Sequence, residues 1–198
     1  MRRRTRIRRA ILVLTAMTVA LAVGSGVALA DTFTGTRGPD VLRGTPADDE
    51  VFGGAGADVL SGESGNDFVG GGNQVRPLGG PKVLSGDAGD DFVAGGLRSP
   101  TVASGGPGDD LVDGSPGINV VSGGSGNDSL TDGEVRGGVT DVLNGSSGDD
   151  VLAPRNEPAG RDVVLCGSGY DVVYADTADV LMDCEEVRYR FPRGNELE

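Results

Sequence analysis

Aspartate residues recur at a fixed distance from glycine along most of this 198-residue chain. In the run "GGAGADVLSGESGNDFVGGG", residues 53–72, Asp58 and Asp67 each stand five residues after a glycine and directly before an aliphatic segment. Glycine lets the backbone reverse so that carbonyl oxygens turn toward one point, and aspartate adds a carboxylate there. Such an all-oxygen site suits Ca²⁺, which takes about six to eight oxygen ligands. With no histidine and only two cysteines in the chain, transition metals are disfavoured.

The glycine and aspartate motifs follow a period of nine residues. Ten units align at 35–43, 44–52, 53–61, 62–70, 86–94, 105–113, 114–122, 123–131, 145–153 and 166–174. Four stretched units, at 71–85, 95–104, 132–144 and 154–165, keep the aliphatic end of the motif. A fixed period is typical of a solenoid, in which each unit packs its apolar side on the next. Aspartates that only cap turns are the alternative interpretation, but capping does not explain the constant offset from glycine.

Each position of the unit has an expected role. Glycines at positions 1, 2 and 4 are expected to adopt positive φ, and the aspartate at position 6 is expected to provide a ligand. Position 8 is aliphatic or alanine, as in Leu42, Val51 and Leu60, and is predicted to point inward from a three-residue strand. Because side chains alternate along a strand, positions 7 and 9 then point outward.

The unit is similar to the calcium-binding nonapeptide repeat of RTX proteins, also called the hemolysin-type repeat, over roughly residues 35–183. The resemblance implies an all-β fold, a right-handed parallel β-roll or solenoid with two nine-residue repeats per coil. It also implies that calcium is held between stacked turns by aspartate carboxylates and turn carbonyl oxygens. Alternate units then stack on one edge, and counting units from Gly35 defines an even edge and an odd edge.

The two edges differ in their acidic residues. Every even unit has aspartate at position 6, and all the stretched units are odd. We therefore expect about six or more calcium sites, most of them on the even edge, with the odd edge binding near Asp40 and Asp58 and then losing most of its sites. The predicted metal-binding residues are Asp40, Asp49, Asp58, Asp67, Asp91, Asp110, Asp128, Asp150 and Asp171, with the turn glycines Gly53, Gly62, Gly65, Gly86, Gly89, Gly105, Gly108, Gly123, Gly126, Gly145 and Gly148.

The two cysteines are separated by one full coil of the implied roll. Cys166 and Cys184 are eighteen residues apart, so both would occupy position 1 on the even edge, one above the other. Adjacent strands lie about 4.8 Å apart, which a disulfide accommodates. The resemblance thus implies a Cys166–Cys184 disulfide that closes the end of the solenoid; free thiols are the alternative.

The first thirty residues have the pattern of a secretory signal peptide. Six arginines precede an apolar segment at 11–23, and Ala28-Leu29-Ala30 resembles a cleavage site. An uncleaved anchor is the alternative, but thirteen apolar residues are short for a bilayer about 30 Å thick. We predict a signal peptide at 1–30, a calcium-binding β-roll at 31–183 and a cap with a tail at 184–198. Cleavage changes the net charge from −13 to −19, because six arginines and no acidic residues are lost.

The charge and composition exclude several functions. A strongly acidic chain repels nucleic acid and anionic membrane surfaces, and we expect no membrane span after cleavage. Without histidine, the Ser-His-Asp and Cys-His catalytic arrangements are excluded. We therefore predict a secreted, non-enzymatic calcium-binding module that folds on extracellular calcium. The alternative is a calcium-dependent polysaccharide-binding or lyase-type β-helix, which would need a basic residue from the stretched units: Arg76, Lys82, Arg98, Arg136, Arg155 or Arg161.

Position 7 of the odd units suggests a partner surface. It is valine in seven odd units, at 41, 59, 83, 102, 120, 142 and 163. Valine favours strands for its shape alone, and this is the simpler interpretation. If the column faces outward, however, a continuous apolar patch would favour a homodimer or another surface partner.

Overall fold

The computed structural model describes residues 29–72, 80–97, 99–133, 135–136, 139–157 and 160–189. The predicted signal peptide, up to residue 28, and most of the predicted tail, from residue 190, lie outside the described residues. None of the described residues belongs to a helix that is long and apolar enough to cross a membrane.

The described residues form short strands throughout. In chain order these are β1 (Thr32–Thr34), β2 (Val41–Arg43), β3 (Glu50–Phe52), β4 (Val59–Ser64), β5 (Phe68–Gly70), β6 (Lys82–Ala88), β7 (Phe92–Ala94), β8 (Thr101–Pro107), β9 (Leu111–Asp113), β10 (Asn119–Ser125), β11 (Ser129–Thr131), β12 (Val135–Arg136), β13 (Val142–Ser147), β14 (Val151–Ala153), β15 (Asn156–Glu157), β16 (Val163–Ser168), β17 (Val172–Val173), β18 (Val180–Met182) and β19 (Glu186–Val187).

Two parallel sheets contain nearly all of these strands. The nine-stranded sheet has the order β1-β3-β5-β7-β9-β11-β14-β17-β19, and the eight-stranded sheet has the order β18-β16-β13-β10-β8-β6-β4-β2. The strands within each sheet pair in parallel, as in Val59↔Val83 and Phe68↔Phe92. The chain therefore alternates between the sheets at every unit, and two units make one coil. This arrangement is the solenoid that the period predicts, with the parallel strands and two repeats per coil that the resemblance to the RTX repeat implies.

The stretched units leave this register intact. Two of these units contain β12 and β15, which form a separate two-stranded sheet. The last strand of a stretched unit still pairs with the strand of the preceding odd unit, as in Val120↔Val142. Insertions are accommodated because only the strand ends of a unit take part in the two main sheets.

The core contains one residue per strand. From Val51 to Val173, the position-8 side chains in both sheets are at most 1% exposed. This confirms the prediction that position 8 points inward. A core with about one aliphatic side chain per strand is thin, and burial of each contributes about 1.5–3 kcal/mol at most. Much of the remaining interior consists of buried aspartates.

The predicted disulfide is present and closes the last coil. Cys166 and Cys184 are bonded, with their Cα atoms 5.1 Å apart. The sheet nevertheless continues past Cys184, because β19 pairs with β17 in parallel. The first residues of the predicted cap are thus a further strand of the nine-stranded sheet.

Candidate metal centre

The position-6 aspartates of the even edge form a continuous ladder between coils. The side chains from Asp49 to Asp171 are at most 3% exposed. One oxygen of each, Oδ1, accepts a hydrogen bond from the backbone N–H of the corresponding residue in the preceding coil. The Asp91 N–H, for example, donates to Asp110 Oδ1 at 2.8 Å, and the Asp110 N–H donates to Asp128 Oδ1 at 2.9 Å. Half of each carboxylate is therefore used to align neighbouring coils.

The other oxygen, Oδ2, points into the turn. In the part of the chain that the structure describes, six of these buried oxygens on the even edge lack a hydrogen-bond partner, those of Asp67, Asp91, Asp110, Asp128, Asp150 and Asp171. A buried carboxylate oxygen without a hydrogen bond or a counter-ion is costly. The repeated geometry therefore fits a cation beside each Oδ2 atom.

A backbone carbonyl oxygen from the next coil converges on the same space. A methyl group added to Gly62 would overlap both Asp67 Oδ2 and the Gly86 carbonyl oxygen, which is 2.6 Å from the added atom. A methyl group on Gly145 would likewise overlap Asp150 Oδ2 and the Cys166 carbonyl oxygen. Carboxylate and carbonyl oxygens are the ligands that Ca²⁺ prefers. The residues present thus fit a calcium ion between successive turns.

The glycines have two different roles, and one prediction about them is wrong. Glycines at positions 2 and 4 of the even units do adopt positive φ, as Gly106 and Gly108 do at 129° and 140°. The position-1 glycines Gly53, Gly62, Gly86, Gly105, Gly123 and Gly145 are not among the positive-φ residues. They are required because a β-carbon there would collide with the position-6 carboxylate of the same unit. The predicted position-4 glycines are Gly65, Gly89, Gly108, Gly126 and Gly148, all at positive φ.

Position 2 of the even turns accepts other residues at positive φ. Glu63, Asp87 and Ser146 occupy it with φ of 86°, 75° and 81°. Asp87 Oδ2 also accepts a hydrogen bond from the Ser61 hydroxyl at 2.5 Å, which links two adjacent coils. Left-handed backbone at residues other than glycine is strained, and the stacking of the turns maintains it here.

Burial strongly perturbs the ladder carboxylates. Desolvation, followed by the charges of neighbouring carboxylates, raises the pKa of Asp91 and of Asp128 to about 7. The same causes raise the pKa of Asp150 to about 6. Backbone N–H donors oppose these shifts without cancelling them. Burial of these carboxylates thus favours their protonated form unless a cation neutralises them.

A second ladder lies outside the first, at position 5. Here the N–H of each coil donates to the side chain of the preceding coil, the reverse of the direction at position 6. The Asp109 N–H donates to Asp90 Oδ1 at 2.9 Å, and the Asn127 N–H donates to Asp109 Oδ1 at 2.7 Å. This explains the Asp or Asn that recurs before the position-6 aspartate. These side chains are exposed and bind the backbone of the neighbouring coil.

The first coil differs from the rest because threonine satisfies its carboxylates. Asp40 Oδ2 accepts hydrogen bonds from the Thr36 N–H at 2.6 Å and the Thr36 hydroxyl at 3.0 Å. Asp49 Oδ2 accepts the equivalent bonds from Thr45 at 2.5 and 2.8 Å. Among the described residues, these two predicted ligands therefore have protein donors at Oδ2, whereas the even-edge aspartates from Asp67 to Asp171 have none there.

The last coil is modified at two positions. Cys166 replaces the position-1 glycine and is buried in the disulfide. The Asp171 N–H donates to Glu185 Oε2 at 2.9 Å, so a glutamate completes the ladder. Sequence reasoning missed Glu185, because it lies beyond the last recognisable unit.

The odd edge contains an acidic cluster that sequence reasoning also missed. One carboxylate oxygen from each of Asp132, Asp141 and Asp162 lies within 4.8 Å of the others, and all three side chains are buried. Burial raises the pKa of Asp132 to about 7 and that of Asp162 to about 6. Asp141 and Asp162 occupy position 6 of their units. Asp132 is the first residue of a stretched unit and does not occupy the aspartate position of the repeat. Only the route of the stretched unit brings it to the others.

The remaining predicted odd-edge ligand, Asp58, is paired with a lysine. Asp58 Oδ2 forms an ion pair with the Lys82 ammonium group, and both side chains are fully buried. Lys82 is also one of the basic residues on which the lyase alternative depends, and its burial removes it from any surface groove.

The family comparison agrees with this geometry. The sequence matches the model of the RTX calcium-binding nonapeptide repeat (4 copies) at residues 25–60, 43–74, 83–97, 104–131 and 137–153, which together cover more than half of the chain. No curated protein and no solved structure gave a match.

Proposed function

We propose that this chain, which belongs to the RTX calcium-binding nonapeptide repeat family, is a secreted, non-enzymatic module that folds when it meets extracellular calcium. The observation that carries the proposal is the column of six buried Oδ2 atoms without hydrogen-bond partners in the described part of the even edge. Calcium binding itself is the property for which the family is named.

The chain's own residues supply both kinds of ligand. Oδ2 of a position-6 aspartate would hold the ion, together with turn carbonyl oxygens such as those of Gly86 and Cys166. A bound ion would neutralise a carboxylate that is otherwise buried with its charge uncompensated. The position-1 glycine leaves the space open, and the Oδ1 ladder sets the spacing of the coils.

Two features support secretion. The first thirty residues have the pattern of a signal peptide, and disulfides persist mainly in oxidising compartments. Extracellular calcium modules bind with dissociation constants of about 10⁻⁴–10⁻³ M. Such sites would be empty where calcium is scarce and filled outside the cell.

We expect the Asp91→Ala and Asp110→Ala variants each to bind one or two fewer calcium ions than the wild-type chain, because each aspartate contributes Oδ2 to one site and aligns the adjacent coil. Isothermal titration calorimetry with calcium measures the number bound. The matched control is Asp113→Ala, which removes the same charge from the outer face of the nine-stranded sheet. Equal numbers in all four proteins would contradict the assignment of the ladder.

A second proposal concerns the eight-stranded sheet, whose outer face is apolar. Val59, Val83, Val102 and Val120 stack in register and are each between 44% and 48% exposed. Position 9 of the same strands is serine, at 61, 85, 104 and 122. This uncharged strip on a strongly acidic chain favours a second copy of the same sheet as its partner, because like charges would not oppose the contact.

We expect the wild-type chain to dimerise in calcium and the Val102→Lys/Val120→Lys variant to be monomeric. Two lysines on each copy would face each other across the contact and repel. Light scattering or sedimentation measures the mass in solution. Leu111→Lys, on the nine-stranded sheet, is the control and should leave the dimer intact. A monomeric wild-type chain would end the dimer proposal.

A further inference from the structure

On the odd edge the position-6 residues also stack from coil to coil, and the residues in the middle of that stack are not acidic. Strand pairing places Lys82 after Asp58, then Thr101 and Asn119, before the series returns to acid at Asp141. On the even edge the same position is aspartate in every coil. The two edges thus differ over the same coils of the solenoid.

Lys82 occupies the place that the turn geometry provides for a cation. Its side chain is fully buried, and its Nζ atom forms an ion pair with Asp58 Oδ2. Nζ also donates a hydrogen bond to the Gly54 carbonyl oxygen at 3.1 Å. A position-6 carboxylate oxygen and a turn carbonyl are the same kinds of atom that converge on the even edge. Here an ammonium group of the chain lies between them.

The coils that follow replace a cation with neutral donors. The Asn119 side-chain NH₂ group shares its two hydrogens among three carbonyl oxygens within hydrogen-bonding distance, those of Ser115 at 2.6 Å, Asp132 at 2.8 Å and Gly117 at 3.0 Å. The Ser115 hydroxyl donates to the Ser99 carbonyl oxygen at 2.6 Å. Turn carbonyls that could bind a metal ion are therefore satisfied by N–H and O–H groups.

We propose that Lys82 is a built-in cation that replaces a calcium ion between the coil of Asp58 and the next coil, and that it blocks a latent divalent-cation site there. Together with Thr101, Ser115 and Asn119, it closes the middle of the odd edge without metal. The inference rests on the proposed calcium binding of the repeats. A buried carboxylate left without its charged partner is strongly destabilising. Removing the ammonium group should therefore favour the binding of another cation beside Asp58.

We expect Lys82→Ala to bind one more calcium ion than the wild-type chain in titration calorimetry. The extra ion should disappear in Asp58→Asn/Lys82→Ala, which lacks the carboxylate. In calcium-free buffer Lys82→Ala should melt below the wild-type chain, and millimolar calcium should remove most of that difference. Asp58→Asn/Lys82→Met is the matched control, because it replaces the pair by neutral side chains of similar size and should gain no ion.

The outcomes separate this inference from the proposed function. A wild-type chain that binds no calcium contradicts the proposed function. A wild-type chain and a Lys82→Ala variant that bind equal numbers of ions overturn the Lys82 inference alone. It is also overturned if Lys82→Ala stays unfolded in millimolar calcium, whether or not the neutral control folds, because calcium then does not take the place of the ammonium group.

Discussion

Transfer from millimolar calcium to a chelator is expected to lower the melting temperature of the wild-type chain by roughly 15–30 °C and to remove most of its β-sheet circular dichroism signal at physiological temperature. At a calcium concentration ten times the dissociation constant, each site contributes about 1.4 kcal/mol. Six sites then contribute about 8 kcal/mol, and about 1 kcal/mol shifts the melting temperature of a chain of this size by about 2–4 °C.

The thin core is the reason that the effect is so large. A typical domain is stable by about 5–15 kcal/mol, and here the core has about one aliphatic residue per strand, while most of the other buried residues are polar, chiefly aspartates. Without cations, six Oδ2 atoms of the even-edge ladder lose their solvation and gain no hydrogen-bond partner among the described residues. The folded state therefore depends on the ion for much of its stability.

Circular dichroism melts in calcium, in chelator and in magnesium test this expectation. Magnesium prefers octahedral sites with several waters, so it should restore little of the lost stability and controls for ionic strength. Identical spectra and melting temperatures in excess chelator and in millimolar calcium would contradict the proposal that calcium folds the chain.

In calcium-free buffer the stability of the chain is expected to rise as the pH falls from about 7.5 to about 4.5. Burial raises the pKa of Asp91, Asp128 and Asp132 to about 7, against an ordinary value of 3.8. The folded state therefore binds more protons than the unfolded chain in this window. Its stability is greatest below the unfolded pKa values and is lost as the pH rises through the folded ones.

Calcium should abolish this dependence. A bound ion keeps the ladder carboxylates deprotonated, so the folded and unfolded chains hold similar numbers of protons down to a pH of about 4.5. Melting temperatures across the pH range, with and without calcium, measure both curves. Asp128→Asn, which removes one of the strongly shifted groups, should flatten the calcium-free curve. A calcium-free stability that falls with decreasing pH would contradict the perturbed ladder.

Most of the architecture was predictable, because the residue types at fixed positions of each repeat determine its local structure. A three-residue strand with one inward aliphatic residue follows from position 8, and residues such as Leu60 and Val93 are buried as expected. The eighteen-residue coil places Cys166 beside Cys184. The role predicted for Gly105 at position 1 is wrong. Glycine can be required either for a positive φ or because there is no room for a β-carbon, and the sequence shows the same residue in both cases.

By itself the sequence determined the period, the inward positions, the paired cysteines and the unequal acidity of the two edges, all of which recur at fixed spacing. Only the tertiary structure decided that the Lys82 ammonium group pairs with the Asp58 carboxylate. The same is true of the cluster formed by the buried carboxylates of Asp132, Asp141 and Asp162. The physical reason is that stretched units have no fixed period. Which side chain they bring to a turn depends on how the inserted backbone returns to the stack.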